Sequence, residues 1–317
     1  MGRFTRSTST LAPLTRLAAV LAAVLAAVLA TMLAPALAQT ATPSPPQVRI
    51  PVKIYGQQLV DEAVAANPEL LVIMMHVTPP GSRDNIIIAS NIGRLGKVAD
   101  EDDMRVVETG KSNLEVAHGA TRFEVELVLQ DVAGRTIGAL GLVFPFNASA
   151  DKLALERKAE GIRNALRRHI ADAANLMEPY PYNGAVTTKN HAAKLVEQEL
   201  VRHPELLLME LHASPPRGGQ SVVVASNHGD LGGKSGAKVL SVAQNGKPDI
   251  EVSADGSFVD AHLVLEDATG HAIGVLHAAL ARKAGASSDA AAEQAAQIRD
   301  ELRKAIASPE NLGELDP

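Results

Sequence analysis

The chain has 317 residues, of which 46% are hydrophobic, 21% charged and only 3% aromatic, a composition that fits a folded globular protein of about two ordinary domains. Thirty Lys and Arg against 36 Asp and Glu give a formal charge of −6, so no positive field gathers nucleic acid. The lack of Cys removes disulfides, Fe–S clusters, thiolate zinc sites and cysteine nucleophiles, and the lack of Trp argues against aromatic stacking platforms.

Residues 1–38 read as a secretory signal peptide. Arg3, Arg6 and Arg16 form a basic start, a Leu/Ala/Val run extends from Leu17 to Leu33, and Ala36-Leu37-Ala38 supplies the small residues of a cleavage site. Cleavage after Ala38 removes three arginines and no acid, taking the charge from −6 to −9. The competing reading is an uncleaved anchor, because the apolar run approaches the minimum bilayer span of about 17 residues. With no twin-Arg pair, the expected route is Sec-type and the expected location periplasmic or secreted, with no membrane span after cleavage.

The remainder is one unit written twice. Pro68-Glu69-Leu70-Leu71 recurs as Pro204-Glu205-Leu206-Leu207, His76 as His212, Pro79-Pro80 as Pro215-Pro216, and Ala89-Ser90-Asn91 as Ala225-Ser226-Asn227. Asp131, Gly134, Ile137 and Gly138 recur as Asp267, Gly270, Ile273 and Gly274, all in one register, which marks a tandem duplication. The expected organisation is a linker at 39–53, copy one at 54–177, a linker at 178–189 rich in turn residues, and copy two at 190–312.

Each copy opens with a helix (55–67; 190–203) that ends at a proline. An apolar strand at 70–78 closes on Pro79-Pro80-Gly81, and a second strand follows at 85–91, matched by 221–227. A polar connector, 92–119, holds one short helix near 102–108. Two strands, 121–131 and 135–144, flank an Asp-x-x-Gly hairpin. Phe123, Val125, Leu127 and Leu129 alternate with Arg122, Glu124 and Glu126, the pattern of a half-buried antiparallel strand. Closing amphipathic helices are predicted at 151–176 and 288–306. The fold class is therefore α+β: two tandem units, each an antiparallel sheet of about five strands flanked by N- and C-terminal helices.

This order, with the strand "IIIASN", the connector "GRLGK…DEDD" and the hairpin "LVLQDVAGRTIGALGLVF", resembles the extracytoplasmic PAS-like sensor domains called Cache or PDC domains. The likeness covers about 54–176 and again 190–307, as two single units in tandem. It implies small-molecule binding between sheet and connector. Family members are usually membrane receptors with a cytoplasmic output domain, neither of which is expected here once the signal is cleaved.

Each candidate binding residue has a structural counter-reading. His76 and His212 could touch a ligand or hold a turn. Ser90, Asn91 and Asn227 could recognise a carboxylate or amide, or bond their own backbone. Arg94 or Lys97 could hold an anion while Asp102 or Asp103 meets an amine, or the acids could cap the connector helix. Copy two replaces that acidic run with Gly-Lys-Ser-Gly-Ala-Lys-Val, so copy one is the expected pocket. The stretch 229–235 resembles a phosphate loop with one residue too few and no strong helix expected after it. Copy two holds seven of ten histidines, and with no ligand-like spacing they read as scattered on the surface; His262 in particular falls on an outward face. Neither metal nor cofactor is expected, and no enzyme signature appears. The basic face of the first closing helix, with Arg163, Arg167 and Arg168, reads as solvated. Two functions remain: binding or sensing a polar or zwitterionic metabolite, with a periplasmic or membrane-protein partner, or a ligand-free interaction module.

Overall fold

The computed structural model describes residues 53–180, 189–214, 219–282 and 287–315. The predicted signal, most of both linkers and Pro215-Pro216 lie outside the described residues. The described residues form one compact unit.

Copy one runs α1 (Tyr55–Ala66), β1 (Val72–Val77), β2 (Ile86–Ser90), α2 (Glu101–Thr109), β3 (Asn113–Ala117), β4 (Arg122–Gln130), β5 (Thr136–Pro145) and α3 (Lys152–Arg167). Copy two repeats it as α4 (His191–Arg202), β6 (Leu206–Ala213), β7 (Val222–Ser226), α5 (Ala237–Asn245), β8 (Asp249–Val252), β9 (Phe258–Glu266), β10 (Ala272–Ala281) and α6 (Ser288–Ala305), with a final turn α7 (Pro309–Leu312). Both sheets are antiparallel, in the orders β2-β1-β5-β4-β3 and β7-β6-β10-β9-β8. This is the PAS-like α+β architecture that the resemblance implies.

The duplication extends to fine geometry. A bulge falls between Met75 and His76 in the β1–β2 pair, and another between Leu211 and His212 in β6–β7. In each copy the entering helix is tied to the closing segment: Tyr55 N–H donates to Glu178 O at 2.9 Å, and His191 N–H to Glu314 O at 2.8 Å. Asp131 is fully buried and accepts from the Arg135 N–H and guanidinium, so it shapes the hairpin around Gly134 at φ 81°. Asp267 does the same through Thr269 and His271, around Gly270 at φ 90°.

Each sheet buries one face under its long helices. Leu127, Leu129, Leu140 and Leu142 pack with Ile162 and Leu166 of α3, and Leu263, Leu265, Leu276 and Leu280 pack with Ile298 and Leu302 of α6. The opposite face lies under the connector helix; in copy two, Val239 and Val242 of α5 meet Val275 of β10. Burial of these faces contributes roughly 25 cal/mol per Å² of apolar area removed from water.

Four elements differ from the sequence-based expectation. The fifth strands, β3 and β8, fall inside the segment read as a polar connector with one helix; as half-exposed edge strands they alternate weakly. The first closing helix stops at Arg167 rather than 176, because Ile170 O turns back to accept from Val132 N–H and Asn175 folds into a short 3₁₀ turn. A helix, α5, does begin just after the phosphate-loop-like stretch, capped at Gly236.

The copies are stitched together. Tyr55 O–H donates to Asn227 O at 3.0 Å, and Asn175 Nδ2 to His228 O at 2.6 Å. Arg168, read as solvated, instead points its guanidinium at Pro204 O and Leu200 O at the end of α4, 2.8 and 2.9 Å away. A cation on the carbonyls of a helix C-terminus meets both unfilled acceptors and the dipole. Gly229, at φ 83°, lies against the Tyr55 ring so closely that a Cβ would collide with it.

Candidate functional site

In copy one the connector acids act locally. Asp100 and Asp103 form a reciprocal capping box at the start of α2. Asp103 is buried and lies 2.9 Å from His76 Nδ1, in an alignment too poor for a good hydrogen bond. Burial opposes ionisation of Asp103, but the adjacent His76 and the cap outweigh it and hold its carboxyl below the usual range. Asp102 pairs with Arg105 at 2.7 Å on the surface. Arg94, at φ 65°, is exposed, as is Lys97, which sits 3.8 Å from Asp100.

The asparagines are committed to backbone. Asn91 Oδ1 accepts from Ile73 N–H and its Nδ2 donates to Leu71 O. Asn227 Oδ1 accepts from Met209 N–H, and its Nδ2 donates to Leu207 O and Arg168 O. Ser90 is buried, and its hydroxyl accepts from Ile92 N–H. The structure thus separates Ser90, Asn91 and Arg94 from His76 and Asp103 by function: clamp and turn on one side, a buried pair on the other.

The concentration of chemistry lies in copy two, where scattered surface histidines were expected. That expectation fails: His212 and His262 are only 4% and 5% exposed, and His277 is half-buried between them. Register brings them together. His277 on β10 pairs with Glu210 on β6 and with His262 on β9, which in turn faces Asp249 on β8. His277 Nδ1 donates to Glu210 Oε2 and its Nε2 to Asp260 Oδ1, both at 2.7 Å. His212 Nε2 lies 3.1 Å from the same Glu210 oxygen, and its Nδ1 lies 3.1 Å from Ser235 Oγ. The His262 ring stacks on His277 at 4.2 Å and 9°.

The electrostatics follow from those contacts. Burial disfavours the charged form of His277, but two carboxylate partners outweigh it and push its pKa up to about 9. Burial likewise opposes ionisation of Glu210, yet the two imidazoles hold its carboxyl well below the usual range. Burial and then the charge of Glu210 push Asp230 up to about 7. Burial and the neighbouring His277 charge lower His262.

Beside this cluster runs a groove of about 840 Å³. Its copy-one wall is the β4–β5 turn and the end of α3, with Arg135 and Arg167; its copy-two wall carries Asp255, Asp260 and His277. His228, deep in the groove, is pushed down to about 4 by burial, and its Nε2 has no hydrogen-bond partner. Sequence reading assigned Glu210, Asp260, His262 and His277 no binding role. A signal was present: at the same repeat positions copy one has Met74, Glu124, Glu126 and Gly141, so two apolar or small residues had become Glu and His on strands that pair.

No protein-family model matches the chain, and no curated protein matches it. Among solved structures the chain is similar to PelD from Pseudomonas aeruginosa PAO1, at 14% identity and a TM-score of 0.28, over 84% of this chain and 82% of that one. It is similar to the PobR transcription factor inducer binding domain from Acinetobacter, at 11% identity and 0.25, over 35% and 95%. It is also similar to the Agobacterium tumefaciens repressor BlcR, at 9% identity and 0.27, over 37% and 67%. At such scores the likenesses carry no argument about function, which rests on the residues above.

Proposed function

We propose that the protein is an exported binding module for a small polar or zwitterionic metabolite, seated in the groove beside β6, β10 and β9, whose occupancy is presented to a partner protein. The observation that carries this reading is a groove of ligand size with a built cluster of buried ionisable side chains along one side. Its walls carry opposite charge, Arg135 and Arg167 against Asp255 and Asp260, which suits a ligand bearing both a carboxylate and an amine. The reading moves the ligand from the copy-one connector to copy two. The assignment to tandem single Cache-type domains rests on the sequence motifs, and export rests on residues 1–38. No turnover is assigned; the reading is of binding.

Thermal-shift screening of the full chain, in metal-free buffer, against amino acids, organic acids, nucleosides and polyamines tests it. A saturable rise in melting temperature that is lost in Arg167→Ala with Asp255→Ala supports it. A flat screen overturns it. Export is read from the mass of the chain recovered from a bacterial periplasm: a start at Gln39 supports it, an intact Met1 in the cytoplasm overturns it.

A second reading, an interaction module, is favoured by exposed apolar pairs at equivalent positions on the two edge strands, Leu114 and Val116 on β3 and Ile250 and Val252 on β8. A flat screen with a stoichiometric co-purifying partner would favour it.

A further inference from the structure

Glu210, His212 and His277 converge more tightly than a groove wall requires. Their donor atoms all lie within 4.8 Å of one another, with Glu210 Oε2 3.1 Å from His212 Nε2 and 2.7 Å from His277 Nδ1. In a tetrahedral site with bonds of about 2.0–2.1 Å, ligand atoms stand about 3.3 Å apart. We propose that these three side chains bind one divalent first-row metal ion of the zinc kind, through Glu210 Oε2, His212 Nε2 and His277 Nδ1, with water completing the coordination.

What distinguishes the trio from a chance cluster is its outer shell. Each imidazole has its far nitrogen tied: His212 Nδ1 to Ser235 Oγ at 3.1 Å, and His277 Nε2 to Asp260 Oδ1 at 2.7 Å. The Asp260 carboxylate holds a proton on His277 Nε2, so that Nδ1 becomes the ligand once a metal displaces its proton, and both contacts fix the ring planes. Ser235 is itself held by Ser221 Oγ at 2.8 Å, and the His262 ring braces His277 from the side. Asp230 has its Oδ1 buried without a hydrogen-bond partner. His262 is nine-tenths buried, and its Nδ1, which makes no hydrogen bond, lies 3.9 Å from Asp260 Oδ2.

The donor set decides the class. Two imidazoles and one carboxylate suit Zn²⁺, Co²⁺, Ni²⁺ or Fe²⁺, whereas Mg²⁺ and Ca²⁺ take oxygen shells. Of the other clusters among the described residues, Asp260 with His262 shares His277 and has its Oδ1 on His277 Nε2, Glu199, beside His203 and Glu301, holds Arg202 at 2.6 Å, and Asp100 with Asp103 is consumed in the α2 cap. Copy one places Met74 and Gly141 where copy two has Glu210 and His277, with the Met74 methyl 3.5 Å from where a Gly141 Cβ would lie. The ligands therefore belong to one copy of a duplicated scaffold. The site stands whether or not an organic ligand occupies the groove.

The test is titration of the full chain, stripped with a chelator, by Zn²⁺ in a calorimeter and by Co²⁺ followed through its visible d–d absorption. One equivalent is expected, at micromolar affinity or tighter. His277→Gln and His212→Gln should weaken binding at least 100-fold, Ser235→Ala and Asp260→Asn about 10–100-fold, and His271→Ala not at all. Absence of binding, preference for Ca²⁺ or Mg²⁺, or Zn²⁺ affinity unchanged in His277→Gln overturns the proposal. Where the ligand variants fail to fold by circular dichroism, folded Ser235→Ala decides: unchanged affinity overturns it. Arg167→Ala separates the two readings, since it should abolish a metabolite-induced shift and leave Zn²⁺ binding intact.

Discussion

The two copies lay the same five strands in the same order and register, yet the faces beneath their connector helices have opposite chemistry. Across copy one the row Asn113, Glu126, Gly141, Met74, Ser90 holds one ionisable group. Across copy two the equivalent row is Asp249, His262, His277, Glu210, Ser226. The retained histidines also change partner. His76 faces Asp103 of α2, but the matching residue of α5 is Val239, and His212 turns to Glu210 and Ser235 instead. A duplicated scaffold thus keeps its core and hairpins while one copy acquires a polar cluster, and function is legible in that divergence rather than in the shared fold.

The largest expected effect tests whether the copy-two row is a coupled unit. Glu210→Ala in the metal-free chain leaves the His277 cation half-buried with Asp260 as its one remaining carboxylate. Breaking a buried pair costs about 3–5 kcal/mol, and the surviving partner puts the expected loss near 3 kcal/mol. Converting the row to its copy-one counterpart, Glu210→Met with His277→Gly, should restore most of that stability. Denaturant unfolding of the two variants checks it; equal losses in both would show that the row is not coupled.

The next effect tests what the copies share. Gly138 and Gly274 each sit against the backbone carbonyl of the equivalent histidine, His76 or His212, where an added Cβ collides with the oxygen. Gly138→Ala and Gly274→Ala should each cost about 3 kcal/mol, the upper end for overpacking, and by similar amounts. A loss confined to one copy in thermal melts would break the structural equivalence.

The smallest concerns pH in copy one. Burial, followed by the charges of Asp103, Glu124 and Asp100, pushes the Glu126 carboxyl up to about 7 against a hydrogen bond from Asn113. A raised carboxyl pKa means the folded chain holds the proton more tightly than the unfolded one. Its stabilising contribution is complete below about pH 4.5 and disappears as pH rises through 7. Glu126→Gln should therefore match the parent at pH 4.5 and exceed it at pH 8, by on the order of 1 kcal/mol. A constant difference across that range in pH-dependent melts would show that Glu126 titrates normally.

Much of this protein was written locally. The duplication, the opening helices, the Asp-x-x-Gly hairpins and the Asp100–Asp103 cap follow from short-range rules: period, turn chemistry and side chains bonding nearby backbone. The weak edge strands β3 and β8 were not legible, because a strand exposed on one face and unpaired on one side needs no strict alternation. The copy-two cluster lay beyond local rules as well. Glu210 and His277 are separated by 67 positions and meet only because β6 pairs with β10. That pairing, together with the bulge at Leu211/His212, sets which side chains share a face. Sequence by itself determined most of the elements and their repetition, since these depend on neighbours along the chain. Tertiary structure alone decided which histidines converge, because burial and partner choice are settled by strands brought together across the fold.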